Sequence, residues 1–155
     1  MAKYAARTEV SSEKSRAEIE RTLQRYGATS FAYGTDDELN AAMVGFKADG
    51  RQIRFVLTMP SRAEREFTHH STGPRTQSAA ENFYEQAVRQ KWRALLLIVK
   101  AKLEAVDSGI VTFEQEFLPH IVMPGGKTVY ESVADGIETA YLSGNVAPLL
   151  QIESN

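Results

Sequence analysis

The stretch Ala80–Asp107 constrains this chain more than any other feature. Its apolar residues Tyr84, Val88, Trp92, Leu95, Val99, Leu103 and Val106 follow one another in steps of four, four, three, four, four and three. That spacing keeps one stripe on one side of a 3.6-residue period, so the stretch predicts a single long amphipathic helix. Continuous, it spans about 42 Å at 1.5 Å per residue. Another side carries Arg89, Arg93 and Lys100, which joins a buried seam to a cationic strip. A helix this long must be buried against something, and the preceding residues supply a sheet.

Leu39–Ala48 and Arg51–Met59 flank Asp49-Gly50, the strongest short-range hairpin signal. A two-residue loop pairs Phe46 with Ile53, Val44 with Phe55 and Ala42 with Leu57, all apolar and on one face. The other face pairs Gly45 with Arg54. A slip of one residue would drive Arg54 into the core, so the register is well specified. Thr29–Tyr33 predicts a further strand with Phe31 and Tyr33 on one face, followed by a turn at Gly34–Asp37. Pro60 ends the sheet.

Ahead of the strands, Ser12 reads as the N-cap of a helix over 13–26, with Ser15 and Glu18 as a second capping box and Gly27 as the stop. Thr112–Gln115 and Thr128–Glu131 are two more capping boxes. The first opens a helix carrying Phe113, Phe117 and Ile121 that Pro119 bends or shortens. The second opens a helix carrying Val133, Ile137, Ala140 and Tyr141 that Gly144 stops. The tail from Val146 to Ile152 is apolar enough to dock. The expected fold is α+β: a three-stranded antiparallel sheet packed against the long amphipathic helix, with additional helices at both ends. At 155 residues and 43% hydrophobic, residues 1–155 suit one domain, with 1–10 a loose arm and 61–78 a long flexible loop. One sheet and one helix cannot bury every stripe, so Trp92 with Leu96, or Phe113 with Phe117, is expected to serve a homo-oligomer contact.

Charge is unevenly distributed. Residues 47–102 hold eleven Lys/Arg against five Asp/Glu, and residues 103–155 hold one against eight. The two segments can neutralise each other, or the basic one can face an anion. Arg62, Arg65, Arg75, Arg89, Lys91, Arg93, Lys100 and Lys102 flank or follow the 61–78 loop, which also holds Phe67, His69 and His70. Cations beside an aromatic suit a phosphate backbone with base stacking. The leading expectation is therefore a non-enzymatic protein that binds DNA or RNA through Arg54, Arg62, Arg65, Arg75, Arg89, Arg93 and Lys100, with Phe67 stacking. A protein partner meeting Glu114, Glu116, Asp135 and Glu138, or an exposed apolar patch, is the alternative.

Catalytic motifs are weak. His69 and His70 are adjacent and point apart, which suits neither a shared metal nor a general acid/base pair. A phosphoesterase or nuclease using His69, His70 and Glu66 is the least favoured reading. Glu116 and His120 stand four apart with no third ligand. Lys127-Thr128 precedes a helix start without the spacing of a phosphate loop. No cofactor or metal is expected. Cys is absent, which removes disulfides and thiolate chemistry. The start, Met1-Ala-Lys-Tyr, lacks a signal-peptide core and no apolar run is long enough for a bilayer, so a cytoplasmic protein without a membrane partner is expected.

From Arg89 to Val106, and at Thr112–Leu118 and Pro124–Val129, the chain resembles an uncharacterised family of small bacteriophage and prophage proteins of no known activity. The resemblance spans most of the chain from Ser15 to Leu150. It implies a bacterial host cytoplasm and a role that phages need: handling their own DNA, or an anti-defence role through binding a host protein or sequestering a nucleotide signal. It lends no functional residues.

Overall fold

A computed structural model describes residues 8–150. The first helix, α1, covers Ser12–Tyr26, and its cap is Ser11, whose hydroxyl accepts from the Lys14 N–H. Ser11 and Ser12 are both competent caps, and the helix takes the earlier one. Ser15 therefore lies inside α1, fully buried, and forms no second capping box with Glu18. Gly27 ends the helix at φ 107°, a left-handed position open to glycine without penalty.

Three strands follow in the order β1-β2-β3: β1 (Ser30–Asp36), β2 (Ala41–Ala48) and β3 (Arg51–Thr58). The β2–β3 register is the expected one, pair by pair from Ala48↔Arg51 to Ala42↔Leu57. Asp49 and Gly50 both take positive φ, 51° and 72°, the conformation a two-residue hairpin loop requires. β1 runs three residues further than its sequence suggests. Gly34 stays in the strand opposite Met43, and the turn moves to the residues after Asp36, whose carboxylate accepts the Leu39 N–H at 2.9 Å. Asn40 at φ 47° completes it, and its side-chain amide donates to the carbonyls of Met59 and Pro60. Side-chain bonds from Asp and Asn to nearby backbone thus place the turn.

The segment 61–78 holds a four-residue helix, α2 (Arg65–Thr68), and a minimal hairpin of β4 (His69–His70) and β5 (Gly73–Pro74). Elements this short are below any readable period. Phe67 is buried and meets Tyr84 edge-on, which docks the segment on the long helix.

That helix, α3, covers Gln77–Asp107, capped by the Thr76 hydroxyl. Trp92, Leu95, Val99 and Leu103 of its stripe are buried, together with Leu96. Leu96 joins them because α1 packs along α3 and widens the covered face. Sheet, α1 and α3 share one core with α4 (Phe113–Phe117). Phe113 and Phe117 stack at 4.5 Å, and Phe117 meets Phe46 edge-on at 6.0 Å. The two pairs expected to serve a dimer, Trp92/Leu96 and Phe113/Phe117, are thus at most 4% exposed. α1 and α4 supply the extra cover that sheet and long helix lack.

Pro119 shortens α4 as expected, into a 3-10 turn over Leu118–His120. The chain then lies along β3. Ile121 forms an antiparallel bridge with Ile53, and the Val122 N–H donates to the Gln52 carbonyl at 2.8 Å. This covers part of the β3 edge, which would otherwise present unpaired groups. The last helix, α5 (Val129–Ser143), starts at a complete capping box of Thr128 and Glu131 and ends at Gly144. Among the described residues no helix is long and apolar enough to cross a membrane.

Candidate functional site

The cations expected to bind phosphate fall into two sets. Four close ion pairs within the chain. Arg54, on the outward face of β3 opposite Gly45, donates to Glu131 at 2.9 Å. Arg62 pairs with Glu81 and lies 4.0 Å over the Tyr84 ring. Its hydrogen bond to Glu81 raises its pKa further. Arg93 and Lys100 both reach Glu18, at 3.3 and 2.5 Å, and tie α3 to α1. The Lys100 hydrogen bond is the main reason the Glu18 carboxyl sits below its ordinary pKa. Arg51 with Glu114 and Lys102 with Glu116 join the basic middle to the acidic end in the same way.

The other three meet no carboxylate among the described residues. Arg65 is exposed on α2. Arg75 stacks 3.7 Å over the Phe83 ring, with its Nε desolvated and without a hydrogen-bond partner. Arg89 donates twice to the Gln86 side chain. Phe67, expected to stack on a base, is 4% exposed and packed on Tyr84. It is spent on holding α2. A cleft of about 510 Å³ opens between the start of α1, the β1–β2 turn and α3. Arg16, Arg62 and Arg89 line it, but so do Glu13, Asp36, Asp37, Glu81 and Glu85. Five carboxylates against three guanidinium groups do not make an anion sink.

The histidines have local partners. His69 Nδ1 lies 2.8 Å from the Thr68 hydroxyl, and His70 Nδ1 lies 2.8 Å from the Thr72 hydroxyl. These contacts shape the β4–β5 turn. His120 stacks 4.2 Å from Phe55, and burial lowers its pKa, with Lys102 adding to the effect. Glu116, its expected companion, is engaged with Lys102 at 3.0 Å. No group of three or more acidic or histidine residues able to hold a metal occurs among the described residues. The start of α5, where Lys127-Thr128 suggested an anion slot, is filled from within: Glu131 Oε2 accepts from the Thr128 N–H at 2.8 Å while also holding Arg54.

The surface that stands out is α5 itself. None of its fifteen residues is buried. Val129, Val133, Gly136 and Ala140 are half-buried on the side facing the fold and the tail, and a Leu149 methyl lies close to where a Gly136 Cβ would stand. Tyr130, Ala134, Ile137 and Tyr141 form a second line at steps of four, three and four, with Tyr130 62%, Ile137 40% and Tyr141 88% exposed. Leu142 and Val146 extend it at 82% and 85%. Asp135 and Glu138, exposed along the helix, make no ion pair among the described residues. In the sequence Val133, Ile137, Ala140 and Tyr141 read as one stripe, with Tyr130 outside it. The available signal was that the helix is apolar along two lines, more than one neighbour covers. The chain matches no protein-family model, no curated protein and no solved structure.

Proposed function

We propose that the protein is a non-enzymatic interaction protein that presents α5 to another protein. The observation that carries this is the exposed line of Tyr130, Ile137 and Tyr141 on a helix with no buried residue. Helices recognised in grooves are read through anchors at such spacing, and tyrosine brings a large apolar ring with a polar tip to an interface. The flanking Asp135 and Glu138, in a segment holding eight acidic residues against one lysine, select a groove rimmed by Lys or Arg. In the setting that the resemblance to phage proteins implies, the partner is a host protein of the bacterial cytoplasm and the role is anti-defence. A photo-crosslinking residue in place of Tyr141 tests this in bacterial cells. The expected result is capture of a discrete protein, abolished by Asp135→Lys with Glu138→Lys. The same capture from the charge-reversed variant overturns the reading.

A second reading rests on Arg65, Arg75 and Arg89, which meet no carboxylate among the described residues. These three, rather than the whole predicted set, are the groups left to contact nucleic acid. Labelled single- and double-stranded DNA at low ionic strength decides it. Binding that falls steeply with salt and is lost in Arg65→Ala/Arg75→Ala supports this reading, and no binding at low salt removes it.

A further inference from the structure

The sheet has two edges, and the fold closes only one of them. β3 is lined by Ile121 and Val122, whereas β1 has β2 on one side and, among the described residues, no strand on the other. The Met59 N–H donates to the Asn40 carbonyl, in register with the β2–β3 ladder. Even-numbered residues of β2 therefore turn their backbone to β3 and odd-numbered ones to β1, as antiparallel pairing alternates. Across from the odd ones stand Ser30, Ala32, Gly34 and Asp36. Phe31, Tyr33 and Thr35 thus aim their N–H and C=O groups away from the sheet, and these groups find no partner among the described residues. Ala32, Tyr33, Gly34 and Thr35 are exposed. Sheet edges are commonly guarded by Lys, by Pro or by short length. β1 runs seven residues with neither Lys nor Pro. Beside it lies a groove of about 350 Å³, with Glu13, Arg16, Ala17 and Glu20 of α1 as one wall and residues 31–33 of β1 as the other.

We propose that this groove takes an extended segment of another protein, which adds to β1 as a fourth strand and carries Lys or Arg on the side that faces α1. Strand addition draws affinity from main-chain hydrogen bonds and specificity from alternate side chains, and the two sides of β1 differ. On the α1 side, Arg16 is held over the Tyr33 and Trp92 rings and lies 3.6 Å from Glu13. Glu20 accepts from the Gln24 amide and has no ion pair among the described residues. Asp37 and Glu38, exposed just beyond the end of β1, have none either. The other cations of α1, Lys14, Arg21 and Arg25, do not line the groove, nor does Lys47 of β2. The excess is acidic and selects cations. On the opposite side of the sheet the middle of β1 presents Ala32 and Gly34, with Met43 across from Gly34 and 39% exposed, so that side suits apolar residues. A second copy is a poor occupant. Pairing β1 with itself along its whole length centres on Tyr33, on which Arg16 lies. Arg16 would then face Arg16, and Glu13 would face Glu20. α5 starts beside β3, where Glu131 holds Arg54, so the groove lies at the other edge of the sheet and does not rest on the reading of α5.

The probe is a short peptide of alternating lysine and valine, added to the isotope-labelled full chain and followed by amide NMR. The amides of Phe31, Tyr33 and Thr35 are expected to shift and to exchange more slowly with solvent, while those of Ala32 and Gly34, already turned to β2, keep their exchange rates. The same peptide with glutamate for lysine is expected to bind about tenfold or more weakly. Glu13→Lys with Glu20→Lys is expected to reverse that preference. Thr35→Pro removes one outward donor and leaves the β1–β2 ladder intact, so it is expected to weaken binding with the unfolding midpoint unchanged. Equal binding of the two peptides, or no protection of the three amides at millimolar peptide, overturns the proposal. Concentration-dependent protection of the same amides without peptide overturns it as well and gives the edge to a second copy.

Discussion

α4 and α5 begin alike and end differently. Both open on a complete Thr-x-x-Gln/Glu capping box, Thr112 with Gln115 and Thr128 with Glu131. α4 then runs for five residues and buries two phenylalanines, whereas α5 runs for fifteen and buries none. A cap specifies where a helix starts, because it satisfies the free N–H groups of the first turn. It says nothing about which neighbours the helix will have. α4 stops early at Pro119 and folds its rings under the sheet. α5 is fixed at its start and leaves Tyr141 and Leu142 exposed at its far end.

The sharpest way to break this contrast is to truncate one anchor from each helix. Phe117→Ala should destabilise the fold by about 3–5 kcal/mol, the usual range for emptying a buried phenylalanine site, read as a lower urea midpoint. Glu131→Ala should have a smaller effect, on the order of 1 kcal/mol. It removes the cap partner of Thr128 and the Arg54 contact together, and hydrogen exchange should quicken in α5 while α4 stays protected. Acidification should act on the α4 side. Burial keeps His120 neutral in the folded state and lowers its pKa below the ordinary 6.5, so the unfolded chain takes up the proton first. Stability should decline as pH falls from about 6.5 toward the lowered folded value. His120→Gln should flatten that slope. Glu18, whose pKa is lowered by Lys100 and Arg93, contributes stability above the ordinary carboxylate range that is lost only at more acid pH. Smallest of all, Tyr141→Ala should change stability by less than about 0.5 kcal/mol. A larger loss would mean that Tyr141 packs within the fold and is not offered to a partner.

How much was legible depended on how local the cause was. The β2–β3 register was fully readable, since Asp49-Gly50 sets the loop and Arg54 forbids a slip. Both C-terminal capping boxes, the break at Pro119 and the stop at Gly144 were readable for the same reason. The extent of β1 was not, because the turn is placed by Asp36 and Asn40 rather than by Gly34. The binding residues were readable as a set of cations, but their pairings were not. Arg51–Glu114, Arg54–Glu131 and Glu18–Lys100 each join residues more than sixty positions apart, and charge pattern alone carries no distance. Phe67 looked available in a loop, yet α2 turns it onto Tyr84. The outward line of α5 emerges only once the covered side is known.

The strip formed by Ile121 and Val122 along β3 has a consequence for how the chain is made. Gln52 receives its partner from Val122, about seventy residues later in synthesis. At roughly 5–20 residues per second, a ribosome needs about 4–14 s to deliver that segment. Throughout this interval the growing polypeptide carries a hairpin whose last strand is bare along one side. Chaperone capture during translation should therefore concentrate between the emergence of β3 and that of Val122, and end when the strip arrives.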